Sequence, residues 1–209
     1  MKRKNLKDQV YDAIMEDIYS GVYKPGDVIN EKDLIEKYQC SKSPVREALI
    51  ALCENQVLRS MPRYGYEVTR LTMDDIREML EFRYYLEGGI LRARAGKITS
   101  HQIDELETLN QECLRDDLTP REHWMANMAF HMALIHACGN EYINQQVKHC
   151  MKRLTRAYAQ FRWGVDKQKL HVSCDCRHHK NILEALRKKD SSKVAELLKL
   201  DLGDFTLLN

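Results

Sequence analysis

Over residues 1–70 the apolar positions repeat with helical spacing in three blocks and then alternate in two shorter ones. Leu6, Val10, Ile14 and Ile18 recur every four residues and predict one buried helical stripe. Ser20, Gly21 and the turn Lys24, Pro25, Gly26 end it. A second, short helix is predicted from Asn30, with Leu34, Ile35 and Tyr38 turned inward. In SKSPVREALIALCEN (41–55), Ser43 suits an N-cap, Pro44 suits a first helical turn, and Val45, Leu49 and Leu52 make the buried stripe. The strand-like runs 57–61 and 66–68, joined by residues 62–65, predict a hairpin with a cationic tip. Three helices followed by such a hairpin make a winged helix-turn-helix.

From Met73 onward the period is helical almost throughout. Helices are predicted over 73–95, 100–115, 120–138, 140–163, 167–188 and 191–205, separated by Gly96, Thr119 with Pro120, Gly139 with Asn140, Gly164 and Asp190. The expected fold class is therefore mainly α: a winged helix-turn-helix domain over 1–70, then an all-α bundle of six helices over 71–209.

Composition narrows the reading without supplying a function. The chain has 209 residues, 44% of them hydrophobic, and a mean hydropathy of −0.55, as in an ordinary globular protein. It has no apolar run of membrane-spanning length, and MKRKNLKDQV lacks a signal-peptide core, so a cytoplasmic location is expected. Seven cysteines, odd in number and mostly scattered, point to reduced thiols. Residues 1–70 carry 12 Lys and Arg against 11 Asp and Glu, a net +1, so any affinity for nucleic acid must come from a local basic surface.

Such a surface is in place. Ser41, Lys42, Ser43 and Arg46 gather donors at the start of the third helix, where unpaired N–H groups also favour phosphate. The strings YKPG (23–26), SKSPVREAL (41–49) and PRYG (62–65) resemble the DNA-binding domain of GntR-family bacterial transcription regulators, over about residues 6–68. The resemblance implies DNA contacts at Lys32, Ser41, Lys42, Ser43 and Arg46, and at Arg63, Tyr64 and Gly65 in the wing. It also implies a homodimer on a near-palindromic operator, commonly acting as a repressor. Lys32 and Lys42 stand where arginine is frequent, and lysine lacks the guanidinium fork that pairs with guanine.

In the helical part, polar residues intrude on apolar stripes. Arg83 falls among Ile76, Met79, Leu80, Leu86 and Ile90. Asn127 and His131 fall among Trp124, Leu134, Ile135 and Cys138. His179 accompanies Ile182, Leu183 and Leu186, and Asp201 accompanies Val194, Leu197, Leu198 and Phe205. Buried polar groups are costly unless paired with each other, a metal or a ligand, and this set has the donors for a metal or anion pocket. Tyr158 and Trp163 are further candidates for its lining.

RYYLE (83–87), FH (130–131) with CGN (138–140), and HKNILEAL (179–186) resemble the FCD ligand-binding domain of FadR-like GntR regulators, over about residues 71–202. That resemblance implies a divalent metal on Asn127, His131, His179 and Asp201, and a small carboxylate effector held by the metal and Arg83. Two of these positions depart from the family pattern, with Asn127 for the usual Asp and Asp201 for the usual His. The ligand charge is conserved while one nitrogen is lost, which shifts preference from Zn²⁺ or Ni²⁺ toward harder ions such as Mn²⁺. Effector binding is expected to reorient helices against the short linker. A metal sensor, with the ion itself as effector, uses the same residues. A metal-dependent hydrolase would need a general base beside the ion, and no HExxH-like motif is present, so no enzymatic activity is expected.

HVSCDCRHHK (171–180) is the segment densest in metal-ligand side chains. If it is helical, at about 100° per residue His178 lies about 100° and Cys174 about 140° from His179, on the outward side, and Cys176 borders the pocket. A single helix therefore leaves His179 as the one strong ligand, with partners 48 residues earlier and 22 later.

Overall fold

The computed structural model describes residues 5–162 and 176–204 and divides into two compact units, 1–72 and 73–209. In the first unit, α1 (Leu6–Tyr19) opens on Asn5, whose side chain accepts the Asp8 N–H at 2.8 Å. Val10, Ile14 and Ile18 are buried, whereas Leu6, in the first turn and one turn short of the core, is 47% exposed. The predicted stripe thus loses its first member. The helix α2 (Glu31–Tyr38) follows Asn30 and buries Leu34, and α3 (Lys42–Glu54) buries Val45, Ala48, Leu49 and Leu52. Each large aliphatic side chain so buried contributes about 1.5–3 kcal/mol.

The cap of α3 lies two residues before the predicted one. Ser41 is the N-cap, and the Ser43 hydroxyl donates to Glu47 Oε1 at 2.8 Å. Pro44 still sits in the first turn, where the backbone N–H groups have no helical partner and its missing donor costs nothing.

The hairpin is β2 (Leu58–Met61) and β3 (Gly65–Val68), and β3 also pairs with β1 (Val28–Ile29), giving the antiparallel order β1-β3-β2. The two-residue β1 is too short to show alternation in sequence and is held by its pairing with Tyr66 and Glu67. Gly65 has φ +125°, and a Cβ there would lie 2.6 Å from the Ile29 carbonyl oxygen. It is the residue that lets β1 close on the hairpin.

The second unit contains α4 (Met73–Arg94), a 3₁₀ turn (Ala95–Lys97), α5 (Ser100–Cys113), α6 (Pro120–Ala137), α7 (Glu141–Arg162), α8 (His179–Arg187) and α9 (Ser191–Asp204). Its described residues are all helical or loop, as the periodicity predicts. Capping boxes fix two of the starts, Thr99 with Gln102 and Thr119 with Glu122, the latter followed by Pro120 at the first position. The long α4 packs on α9 and α7, α6 on α5 and α7, and α8 on α5 and α9. That arrangement brings the inner faces of α4, α6, α8 and α9 toward one interior.

One predicted helix is shorter than its pattern. In the described part of 167–188 the α-helix begins only at His179, and Cys176, Arg177 and His178 form a tight turn before it. The helical-wheel placement of Cys176 and His178 relative to His179 does not hold. Cys174, Trp163, Gly164 and Phe205 lie outside the described residues. Among the described residues no helix is long and apolar enough to cross a membrane.

Replacing Gly65 with alanine should destabilise the N-terminal unit by about 1–3 kcal/mol, because the new Cβ meets backbone in a left-handed conformation. Thermal unfolding of the variant should show a midpoint lower by roughly 5 °C or more for that unit. An unchanged midpoint would show that β1 is dispensable.

Candidate functional site

The first set of candidates lies at the start of α3 and on the hairpin turn. Ser41, Lys42, Ser43 and Arg46 are all exposed, because Val45, Ala48 and Leu49 occupy the inward face. Lys42 Nζ lies 3.5 Å from Glu31 Oε1, and Lys32 on α2 lies 3.8 Å from Glu36 Oε1. Such exposed ion pairs contribute little and are readily exchanged for another anion. In the turn, Arg63 has φ +72° and Tyr64 is 72% exposed, so both project from the hairpin tip. Gly65 is half-buried and fits a conformational role in the wing better than a contact.

The second set converges in the interior of the helical unit. His131 on α6, His179 at the first position of α8 and Asp201 on α9 each offer a ligand atom within 4.8 Å of the others. His131 Nε2 is 3.0 Å from Asp201 Oδ2, and His179 Nε2 is 3.7 Å from Asp201 Oδ1. All three residues are under 5% exposed. Phe130 stacks on the His179 ring with centroids 3.8 Å apart and so fixes its plane. Burial, and then the Arg83 charge, pushes the His131 imidazolium down to about 3. Burial followed by the neighbouring His131 does the same to His179, also to about 3. Both rings are therefore neutral at physiological pH, the form that donates a lone pair to a metal.

Neither ring nitrogen of His179 has a hydrogen-bond partner among the described residues, and the same holds for Asn127 Oδ1. Asn127 is 5% exposed and stands one turn before His131 on the same face of α6. Leaving such atoms without a partner in a dry interior costs about 1–3 kcal/mol each. A nitrogen-and-oxygen donor set with unsatisfied, mutually close atoms fits a divalent cation better than it fits a closed hydrogen-bond network.

Arg83 is buried beside this trio, but its guanidinium is engaged. Its Nε and Nη2 donate to the carboxylate of Glu87, one turn on, the second bond being 3.2 Å. Burial works against its charge, yet Glu87, with a smaller contribution from Asp201, holds its pKa above the ordinary value. Glu87 is fully buried and was not singled out from the sequence, although its spacing of four from Arg83 was a usable signal. His123 and Cys176 are likewise buried and unforeseen as a pair, with Cys176 Sγ 3.8 Å from His123 Nε2. Tyr158 stacks on Trp124, with centroids 4.5 Å apart, and Trp124 Nε1 donates to Thr155 Oγ1 at 2.9 Å. Tyr158 is thereby a core aromatic in an apolar layer.

Comparison with known proteins agrees with both halves. A family model described as bacterial regulatory proteins, gntR family, matches residues 6–68, and one described as FCD domain matches 78–203. HTH-type transcriptional repressor RspR of Escherichia coli (strain K12) is 26% identical over 192 residues, covering 90% of this chain and 82% of that one. HTH-type transcriptional regulator YdhC of Bacillus subtilis (strain 168) is 25% identical over 185 residues, covering 87% and 81%. Among solved structures, E. coli McbR/YncC is similar in fold, with a TM-score of 0.70 at 20% identity and coverage of 99% and 98%. RspR and YdhC are transcriptional regulators by name. The chain belongs to the GntR family of bacterial DNA-binding transcription regulators, with an FCD domain following its helix-turn-helix.

Proposed function

We propose that the chain is a homodimeric repressor, working in the cytoplasm, that reads a near-palindromic operator and is released from it by a small carboxylate. On this reading α3 enters the major groove, with Arg46 reading a base edge and Ser41, Lys42 and Ser43 on phosphates. Lys32 adds a backbone contact, and Arg63 and Tyr64 reach DNA from the wing that Gly65 shapes. The exposure of residues 41–43 and 46 on a helix whose other face is fully buried supports it.

The observation that carries the ligand-responsive half is the convergence of His131, His179 and Asp201 on one buried point. Those three residues, with the Asn127 amide oxygen, would hold a divalent cation, for which Zn²⁺, Ni²⁺ and Mn²⁺ are the candidates. When bound, the ion would supply a Lewis-acidic centre for a carboxylate. The formal charges of the surrounding groups support this. Arg83 (+1), Glu87 (−1) and Asp201 (−1), with two neutral imidazoles, sum to −1; a divalent ion brings the sum to +1 and a monocarboxylate to zero. Arg83 stands ready to orient the acid, provided its pairing with Glu87 is rearranged.

That pairing favours a second reading, in which the ion alone is the effector. Because both Arg83 and Glu87 are buried and mutually satisfied, the guanidinium offers less to an incoming acid than a solvated arginine would. Under this reading metal alone changes operator affinity; under the first, the acid must be added as well.

Arg46→Ala should weaken operator binding by roughly 10–100-fold at fixed salt, measured by fluorescence anisotropy with labelled duplex, while Arg63→Ala weakens specific and non-specific DNA alike. Parental affinity in the Arg46→Ala protein would remove α3 from the reading role.

Elemental analysis of the purified protein should find about one divalent ion per chain, and His179→Ala or Asp201→Ala should abolish it. Added metal at ~100 times its Kd should stabilise the metal-free parent by about 2.7 kcal/mol and leave both variants unmoved. A parent that neither contains an ion nor gains stability from one would end the metal reading.

A further inference from the structure

A groove of about 420 Å³ runs between α6 and α7. That volume falls in the range of small-molecule pockets, roughly 300–1,000 Å³. Met128, Met132 and His136 stand at intervals of four on α6, and Asn144, Lys148 and Lys152 do so on α7, so each helix presents one row of side chains to it. Met151, itself buried, lines the floor. Thr155 Oγ1 lies 3.7 Å from Met128 Sδ at one end, and Asn144 Nδ2 lies 3.3 Å from His136 Nδ1 at the other. Between those contacts α6 advances about 12 Å, and an extended chain advances about 1.2 Å per bond, so roughly ten bonds fill the length. The three methionines are unbranched and polarisable, and conform to irregular apolar shapes. The charge is one-sided. From Tyr142 to Phe161, α7 carries Lys148, Lys152, Arg153 and Arg156 and neither Asp nor Glu. Lys148 and Lys152 are exposed, and among the described residues neither has an ion-pair partner, whereas Lys32, Lys42 and Lys193 each face a glutamate. An apolar slot with two unanswered ammonium groups on one bank complements a ligand with an apolar body and an anionic end.

We propose that this groove binds an anionic amphiphile, an unbranched aliphatic chain of medium length ending in a single negative group such as a carboxylate or sulfate. The chain lies along Met128, Met132 and Met151, and the head group meets Lys148 and Lys152. This inference does not rest on the carboxylate-responsive reading of the buried donors, since its residues are different ones. Met128 and Met132 nevertheless adjoin Asn127 and His131 in sequence, so both sites are built on α6.

The test titrates decanoate, below its micellar concentration, into the full chain by isothermal titration calorimetry. The parent should bind it saturably at about one per chain, and should bind octanoate roughly tenfold more weakly for the loss of two buried methylenes. Lys148→Glu combined with Lys152→Glu, both at exposed positions, should weaken decanoate about tenfold or more and leave decanol unmoved. Met132→Glu should weaken both probes. A folded His179→Ala or Asp201→Asn protein, in which the buried donors are broken, should bind decanoate like the parent. Uptake that never saturates, or equal affinity in the parent, the double lysine variant and Met132→Glu, overturns the site. Loss of binding in His179→Ala and Asp201→Asn also overturns it, by placing the ligand at the buried donors. A parent that ignores decanoate while Met132→Glu halves its sedimentation mass would show a second copy covering the groove, and the site would fall.

Discussion

Taking an ion out of water costs several kcal/mol even after the protein relaxes around it, and the helical domain encloses Arg83, Glu87 and Asp201 in one interior. Arg83 and Glu87 answer each other across one helical turn. Asp201 faces two imidazoles that burial keeps neutral, so it receives hydrogen-bond geometry from His131 without a full opposite charge. A proton on His131 would balance Asp201, but the Arg83 guanidinium opposes a further cation at that ring. The same arrangement would admit a compact divalent ion, which needs lone pairs rather than an N–H proton. Among Arg83, Glu87 and Asp201 one negative charge is thus in excess.

These groups come from four helices: Arg83 and Glu87 from α4, Asn127 and His131 from α6, His179 from α8 and Asp201 from α9. A ligand held by these donors would restrain four helices at once. Coupling of that kind requires only that the ligand bind the two arrangements with different affinity. Phe130, stacked on His179, fixes the plane of that ring, and the Trp124–Tyr158 stack adds a close-packed aromatic contact elsewhere on α6.

Much of this was legible in the chain. A polar residue at a position that a helical period reserves for an apolar one marks a buried polar group, and that rule found Arg83, Asn127, His131, His179 and Asp201. It overlooked Glu87 because a glutamate one turn from an arginine on a long helix resembles an ordinary surface pair. It misplaced Cys176 because periodicity runs through 167–188 without a break, while α8 begins at His179 after a cap that makes no side-chain bond. Ser41 and Ser43 are equally good caps in the string SKSP, and the helix begins after the first, with Val45 and Ala48 inward. The strand β1 is two residues long and exists through its partner, which no local pattern encodes.

The near-neutral N-terminal domain bears on how an operator is chosen. Lys32 and Lys42 are each held by a glutamate, and the Ser43 hydroxyl by Glu47, on the surface expected to meet DNA. Giving up a carboxylate at an exposed lysine costs little, because the original pair is itself worth only about 0–1 kcal/mol, so both lysines stay available to a phosphate. Phosphate neutralisation carries no sequence information, so such contacts would serve operator and other DNA alike. On the proposed reading, contacts that a phosphate cannot imitate, above all a base edge presented to Arg46, would carry the difference between operator and other DNA. With a net charge of only +1 over residues 1–70, discrimination on that reading rests on such contacts rather than on bulk charge.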